Sequence, residues 1–159
     1  MFILDEKDYD YEPIFLEKIN YYIPIPKNWE TNTYFEDQPI LTSVKKCHDT
    51  HKYCPNIAIT YNKNLYDSFE DFVVAGINNT KDEYKDLIDK GFSRNSLKQE
   101  ESYVFKYYMK YEDLDLAFIT IWFQDGENVI TYTASCEKSE MEKNLHLFLQ
   151  IGNSIIKKK

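Results

Sequence analysis

The sequence predicts an α+β fold, a three-layer α/β/α sandwich built on a mainly antiparallel sheet, and three observations carry that reading. The longest apolar run, Leu116 to Ser135 (LAFITIWFQDGENVITYTAS), is interrupted by Asp125-Gly126, a dipeptide suited to a type I′ hairpin turn. Both faces of the hairpin are apolar. With Ile119 opposite Tyr132, Ile121 opposite Ile130 and Trp122 opposite Val129, one face carries Ala117, Ile119, Ile121, Phe123, Ile130, Tyr132 and Ala134. The other carries Phe118, Thr120, Trp122, Val129, Thr131 and Thr133, so the two strands are expected to be central ones, covered above and below. The third observation is a change of period from two to about 3.6 after Asp67 and again after Lys138, which supplies the covering helices.

The remaining elements follow in chain order. Met1 to Glu12 is acidic and aperiodic and is read as an N-terminal arm, with residues 13–159 as one domain. Pro13 to Ile25 alternates as a strand, Pro24 and Pro26 are expected to stop its pairing, and Trp29 to fold back into the core. Ile40 to Cys47 and Asn56 to Tyr61 read as two strands around a polar loop. Phe69, Phe72, Val73, Gly76, Ile77, Tyr84, Leu87 and Ile88 form one helical stripe, capped by Asp67 or Ser68 and closed by Gly91, with Asn78-Asn79-Thr80 as a possible break. Ser102 to Tyr111 returns to a period of two, with Tyr103, Phe105, Tyr107 and Met109 on one face. Ser139 to Ile156 is a closing helix, with Ser139 and Glu142 as its capping box and Met141, Leu145, Phe148, Gly152 and Ile155 as its buried stripe. The lysines beyond it are placed to favour the negative end of the helix dipole.

Composition narrows the function. A net charge of −8 leaves little basic surface for nucleic acid or anionic membrane and favours a partner that is basic or exposes apolar surface. The opening residues lack the pattern of a secretory signal, and no stretch approaches the roughly 20 apolar residues of a membrane span. The expectation is a cytoplasmic protein. Three cysteines, an odd number, then read as reduced thiols.

Two thiols and two imidazoles, Cys47, His48, His51 and Cys54, fall within eight residues and could surround zinc, but their spacing matches no standard knuckle. A cysteine nucleophile activated by the adjacent His48, or by His51, lacks an orienting third group. Cys136 reads as a small buried residue, and His146 as a helix residue at the edge of the core. Four glycines leave no material for a phosphate-binding loop. Fourteen tyrosines and ten phenylalanines are mostly core by alternation, yet Tyr21-Tyr22 and Tyr107-Tyr108 place an aromatic on each face of their strands, which sets Tyr22 and Tyr108 opposite the core-facing Tyr21 and Tyr107. With Glu112 and Asp113 they are the candidate residues for a protein-binding surface.

The order of these elements, with IPIPKNW (Ile23 to Trp29), NIAIT (Asn56 to Thr60), the helix from Ser68, AFITIWFQDGENVITYTAS (Ala117 to Ser135) and the closing IGNSI (Ile151 to Ile155), resembles the PsbP-like superfamily over about four fifths of the chain. That resemblance implies an α/β/α sandwich used for binding or assembly, and in bacterial branches a role as immunity protein or chaperone for secreted effectors. The expectation is therefore a non-catalytic, cytoplasmic protein-binding module without a cofactor. The alternative is a metal- or redox-responsive module centred on Cys47 to Cys54.

Overall fold

The computed structural model describes residues 9–47 and 53–159. Among these residues ten strands and two α-helices follow in the order β1 (Tyr11–Leu16), β2 (Tyr21–Pro26), β3 (Trp29–Thr33), β4 (Leu41–Lys45), β5 (Asn56–Lys63), α1 (Phe69–Glu83), β6 (Ile88–Arg94), β7 (Ser102–Tyr111), β8 (Leu114–Asp125), β9 (Asn128–Glu137), α2 (Met141–Asn153) and β10 (Ile156–Lys157). Seven strands form one antiparallel sheet in the order β3-β4-β5-β9-β8-β7-β6, and β1-β2-β10 form a second, smaller one. The molecule is an α+β sandwich, and its β8–β9 hairpin is central to the large sheet.

The two faces of that hairpin enter two separate cores. Ala117, Ile119, Ile121, Phe123, Ile130, Tyr132 and Ala134 pack with α2 and with Tyr21, Ile23 and Ile25 of the small sheet. Trp122 and Val129 pack with Phe69, Val73 and Ile77 of α1 and with the Tyr103–Met109 face of β7. The cover on the second face is partial. Thr131 and Thr133 of β9 and Ala58 and Thr60 of β5 are only half buried, so hydroxyl-bearing residues occupy the part of the sheet that α1 does not reach.

The hairpin register differs from the expected one by two residues. Asp125 opposes Asn128, Phe123 opposes Ile130 and Ile121 opposes Tyr132. The loop is therefore Gly126-Glu127, with Gly126 at φ +60° as its one positive-φ residue, the pattern of a type II′ turn rather than I′. A slip of two leaves every side chain on its predicted face, which is why the facial pattern survived the error.

Other boundaries moved for local reasons. β1 begins at Tyr11, inside the segment expected to be an arm, and the Tyr9 hydroxyl donates to the Pro24 carbonyl at 2.9 Å. Pro24 and Pro26 do not end the pairing: Pro24 opposes Pro13 and Pro26 opposes Tyr11. Trp29 lies half buried in β3, an edge strand that the polar WETNT sequence concealed. Ser68 Oγ does cap α1, accepting from Asp71 N at 3.0 Å, and Asn78-Asn79-Thr80 continue the helix without a break. The helix stops at Glu83, before Gly91, because Tyr84 turns to extended backbone. Ile88 and Gly91 belong to the edge strand β6, where Gly91 adopts φ +128° in a bulge and Ile88 is 54% exposed.

At the other end, Ser139 falls in a single 3₁₀ turn (Lys138–Glu140) and no side chain caps α2, so the expected Ser139–Glu142 box does not form. The chain leaves the helix at Ser154 and returns as β10 against β2, which removes Lys157 from the helix dipole and pairs it with Asp125 at 2.9 Å.

At Gly152 the backbone of α2 lies too close to the sheet to leave room for a side chain. A Cβ built there would stand 2.7 Å from the Tyr132 ring and 2.8 Å from Ile121 Cδ1. Tyr132 is wholly buried, and its hydroxyl donates to the Phe148 carbonyl of the same helix at 2.7 Å. Gly76 of α1 is different, because a Cβ there would meet Trp122 at an ordinary 3.7 Å. Gly152→Ala is thus expected to destabilise by about 1–3 kcal/mol through overpacking. Gly76→Ala is expected to be neutral or stabilising by up to about 1 kcal/mol through helix propensity. Urea unfolding of the two variants beside the parent checks both signs.

Candidate functional site

Four features bear on function. The first is the Cys47–Cys54 segment. The β4–β5 pair brings its flanks together, with Lys45 N–H donating to Pro55 O at 2.9 Å, and Cys47 and Cys54 form a disulfide with their Cα atoms 5.7 Å apart. This corrects the expectation of three reduced thiols: two are joined, and Cys136 is free and buried. Burial pushes the Cys136 thiol up to about 11, so it is no nucleophile at neutral pH. His48 and His51 lie outside the described residues, among which no group of three or more His, Cys, Asp or Glu gathers to hold a metal. Beside the bridge is a cleft of about 400 Å³ walled by Lys45, Lys46, Tyr53, Glu140, Lys143 and Asn144. The Tyr53 hydroxyl is fixed on Ser135 Oγ at 2.8 Å.

The second feature comprises the aromatic and acidic candidates, which the structure divides. Tyr22, half buried, rests on Phe15 with ring centroids 5.0 Å apart. Tyr108, also half buried, lies under the ammonium groups of Lys90 and Lys138 at 5.2 and 4.8 Å. Glu112 occupies the β7–β8 turn at φ +55°, and Asp113 borders a shallow cleft with Lys138. Tyr108 and Asp113 thus share Lys138 as a neighbour, while Tyr22 stands on the other sheet.

The third feature is one the sequence did not reveal. Phe15 and Leu16 at the end of β1 and Tyr34, Phe35 and Ile40 around the β3–β4 loop wall an open groove of about 580 Å³. Phe35 is 79% exposed. The loop that presents it is pinned at Tyr34, Phe35 and Gln38. Lys18 Nζ donates to the Phe35 carbonyl at 2.7 Å, Tyr34 N–H donates to Ile40 O at 2.9 Å, and the Gln38 amide both donates to Tyr61 O and accepts from Tyr61 N at 2.9 Å. Phe15 and Tyr34, 37% and 42% exposed, wall the same groove, so the ring belongs to an exposed aromatic cluster rather than standing alone. Nothing in the aperiodic Thr33 to Gln38 segment separates such a ring from a core one, so pattern alone could not find it.

The fourth feature is a buried polar cluster where the β6–β7 loop meets the end of α2. Asn95 Nδ2 donates to Asn153 Oδ1 at 2.6 Å and to Ser102 Oγ at 3.2 Å, and Ser102 Oγ donates to Trp122 O at 2.8 Å. Lys98, 8% exposed, donates to Ile155 O at 2.9 Å, lies 3.6 Å from Glu100 and stands 4.1 Å from the Phe123 ring centroid. Burial lowers the Lys98 ammonium to about 8, against a smaller opposing pull from Glu100. In sequence this lysine, in a polar run, looked like any solvated loop residue.

No known family's sequence profile matches the chain, and no curated protein sequence does. Solved structures do. Cyanobacterial PsbP (CyanoP) from Synechocystis sp. PCC 6803 is 12% identical, with a TM-score of 0.69 over 96% of this chain and 95% of that one. LpqN of Mycobacterium tuberculosis, involved in cell envelope biogenesis, is 12% identical, with a TM-score of 0.67 over 96% and 92%. PA94 of Pseudomonas aeruginosa, a protein of unknown function and putative regulator, is 12% identical, with a TM-score of 0.58 over 94% and 99%. The chain has a PsbP-like fold. At such identity the likeness is one of fold alone, and none of the three is described as an enzyme.

The position of Lys98 has a measurable consequence. Between about pH 8 and 10.4 the unfolded chain keeps the Lys98 proton that the folded chain releases, so this group makes stability rise with pH across that window. Cys136 acts oppositely above its unfolded value of 9.0, which leaves the interval from about 8 to 9 to Lys98. Denaturant midpoints of the parent are expected to gain on those of Lys98→Met as pH climbs from about 8 to 9. A constant difference would contradict the assignment.

Proposed function

We propose that the chain is a non-catalytic protein-binding module that captures an apolar segment of another protein in the Phe15–Phe35 groove. The exposure of Phe35 on a pinned loop carries the reading. A ring already fixed in place loses little freedom when a partner covers it, so more of the contact energy appears as affinity. Glu17 in the groove and Glu36 and Asp37 in its loop suit basic residues flanking the apolar segment, in keeping with the net charge of −8. Within this class we place the protein with bacterial immunity proteins and chaperones of secreted effectors, on the resemblance of its sequence pattern to the bacterial PsbP-like branches. Affinity purification of the full chain from its native cells is expected to recover a stoichiometric partner that Phe35→Ser loses with an unchanged melting temperature. Recovery of the same proteins by parent and variant, or of none, would contradict the groove.

A second reading rests on the Cys47–Cys54 bridge, which favours the redox form of a metal- or redox-responsive module over the zinc form, because a disulfide offers no thiolate to a metal. Elemental analysis of protein purified under reducing conditions without chelator tests the zinc form: about one zinc per chain, lost in Cys47→Ser/Cys54→Ser, would support it. The same cysteines test the compartment. Cytoplasmic thiol buffers open an accessible bridge such as this one, so for the cytoplasmic chain we propose, alkylation at lysis is expected to label Cys47 and Cys54. A pair blocked until reductant is added would put the protein in an oxidising compartment.

A further inference from the structure

The disulfide at the end of the β4–β5 pair borders a basic cleft in an acidic molecule. Among the described residues that wall this cleft of about 400 Å³, Lys45, Lys46 and Lys143 are cations, and Glu140 is the one carboxylate. Glu140 is already engaged, with Oε2 3.7 Å from Lys143 Nζ. All three lysines are exposed, so the rim presents accessible positive charge in a chain of net charge −8. Such charges act on the solutes that approach rather than on the packing beneath them. Cys47, half buried, is a wall of the cleft, and Cys54 is not among the residues that line it.

This placement bears on how the bridge can open. In thiol–disulfide exchange a thiolate attacks one sulfur while the other leaves. An attacker that enters from the cleft meets Cys47, so Cys54 is the sulfur that departs. It does not go far. Val44 pairs with Asn56, Lys45 N–H donates to Pro55 O at 2.9 Å, and the Tyr53 hydroxyl is held on Ser135 Oγ at 2.8 Å. These bonds fasten both flanks independently of the bridge and keep the two Cα atoms near their present 5.7 Å, within the ordinary span of a disulfide. Cys54 therefore stays in place to close the bridge again.

We propose that the cleft recognises a small thiol that carries a carboxylate, of amino-acid or short-peptide size, and that this thiol opens the bridge at Cys47. The inference rests on the redox reading of the Cys47–Cys54 segment and names its reactant. The thiolate sulfur bonds to Cys47 Sγ, the Cys47–Cys54 bond breaks, and the electron pair of that bond leaves on Cys54 as a thiolate. A second thiolate then attacks the sulfur of the bound thiol. It carries that thiol away as a symmetrical disulfide and leaves Cys47 as a thiolate, so two electrons have passed from two small thiols to the bridge. Lys45, Lys46 and Lys143 are positioning residues, which hold the carboxylate and raise the local concentration of the anion. The cleft lies near the small end of the range for small-molecule sites, about 300–1,000 Å³, which suits such a thiol.

Rates of bridge opening in the full chain test the assignment, with mercaptoacetate, mercaptoethanol and cysteamine as anionic, neutral and cationic probes. Each rate is divided by the rate of the same thiol with hydroxyethyl disulfide, a neutral disulfide in solution, so that differences in thiol basicity cancel. At low salt mercaptoacetate is expected to lead cysteamine by about tenfold, and added salt should narrow the gap. The net charge of the chain alone predicts the reverse order. Lys45→Gln/Lys46→Gln/Lys143→Gln should slow mercaptoacetate by about tenfold and leave mercaptoethanol within about twofold of the parent. Mass spectrometry of the acid-quenched reaction should find mercaptoacetate on Cys47. Equal normalised rates, cysteamine in the lead, an unchanged preference in the triple variant, or an adduct on Cys54 would overturn the proposal and leave the redox reading standing. Three thiols in the denatured chain before any probe is added, rather than Cys136 alone, would overturn both.

Discussion

The backbone of α2 lies against the Tyr132 ring at Gly152, and much of the molecule is arranged by that contact. Because no side chain separates them, the helix sits low enough for the Tyr132 hydroxyl to reach the Phe148 carbonyl. It is also low enough for Phe148 and Ile151 to be completely buried. The helix end is thereby fixed over the centre of the large sheet. From there the chain can turn at Ser154 and pair with β2, tying the small sheet into the same core. The Lys98 cluster is a product of this geometry, since Asn95 and Lys98 fasten the β6–β7 loop to Asn153 and Ile155 just where the helix ends.

The second consequence is asymmetry. On the α2 side the sheet is closed by a helix and a small sheet together. On the other side α1 covers β7 and β8 and leaves a half-buried threonine surface on β5 and β9. Two clefts arise at the margins of the small sheet. One opens between the end of β1 and the β3–β4 loop, the other between β2, β10 and the β6–β7 loop. Neither disturbs the packing of the central hairpin, so sequence changes at the margins can alter what is bound at little cost to the fold.

The central elements were legible because their side chains obey a period. The β8–β9 faces, the Tyr103–Met109 face of β7 and the α1 stripe through Ile77 all follow from spacing. What failed has identifiable physical causes. Leu87 and Ile88 stay in phase with α1, so spacing extended the helix, whereas the end is set by the extended backbone of Tyr84. β3 and β6 are edge strands with much polar, solvated surface and carry no alternation to read. A hairpin slip of two residues is invisible to facial patterning. Gly152 was placed on the buried stripe correctly, but its close contact depends on Tyr132, which is 20 residues earlier in the chain. Among the site residues, Cys47 and Cys54 stood out because unusual residues cluster there. Phe35 and Lys98 did not, because an exposed aromatic and a buried lysine are each defined by surroundings that only the folded chain supplies.

The claim on which all of this rests is that β8 and β9 are interior strands locked between α2 and α1. Native-state hydrogen exchange measures it most directly. The amides of Ile119, Ile121, Ile130 and Tyr132 should exchange only through global unfolding, and those of β6 through local opening. Exchange of the β8–β9 amides as fast as that of β6 would contradict it.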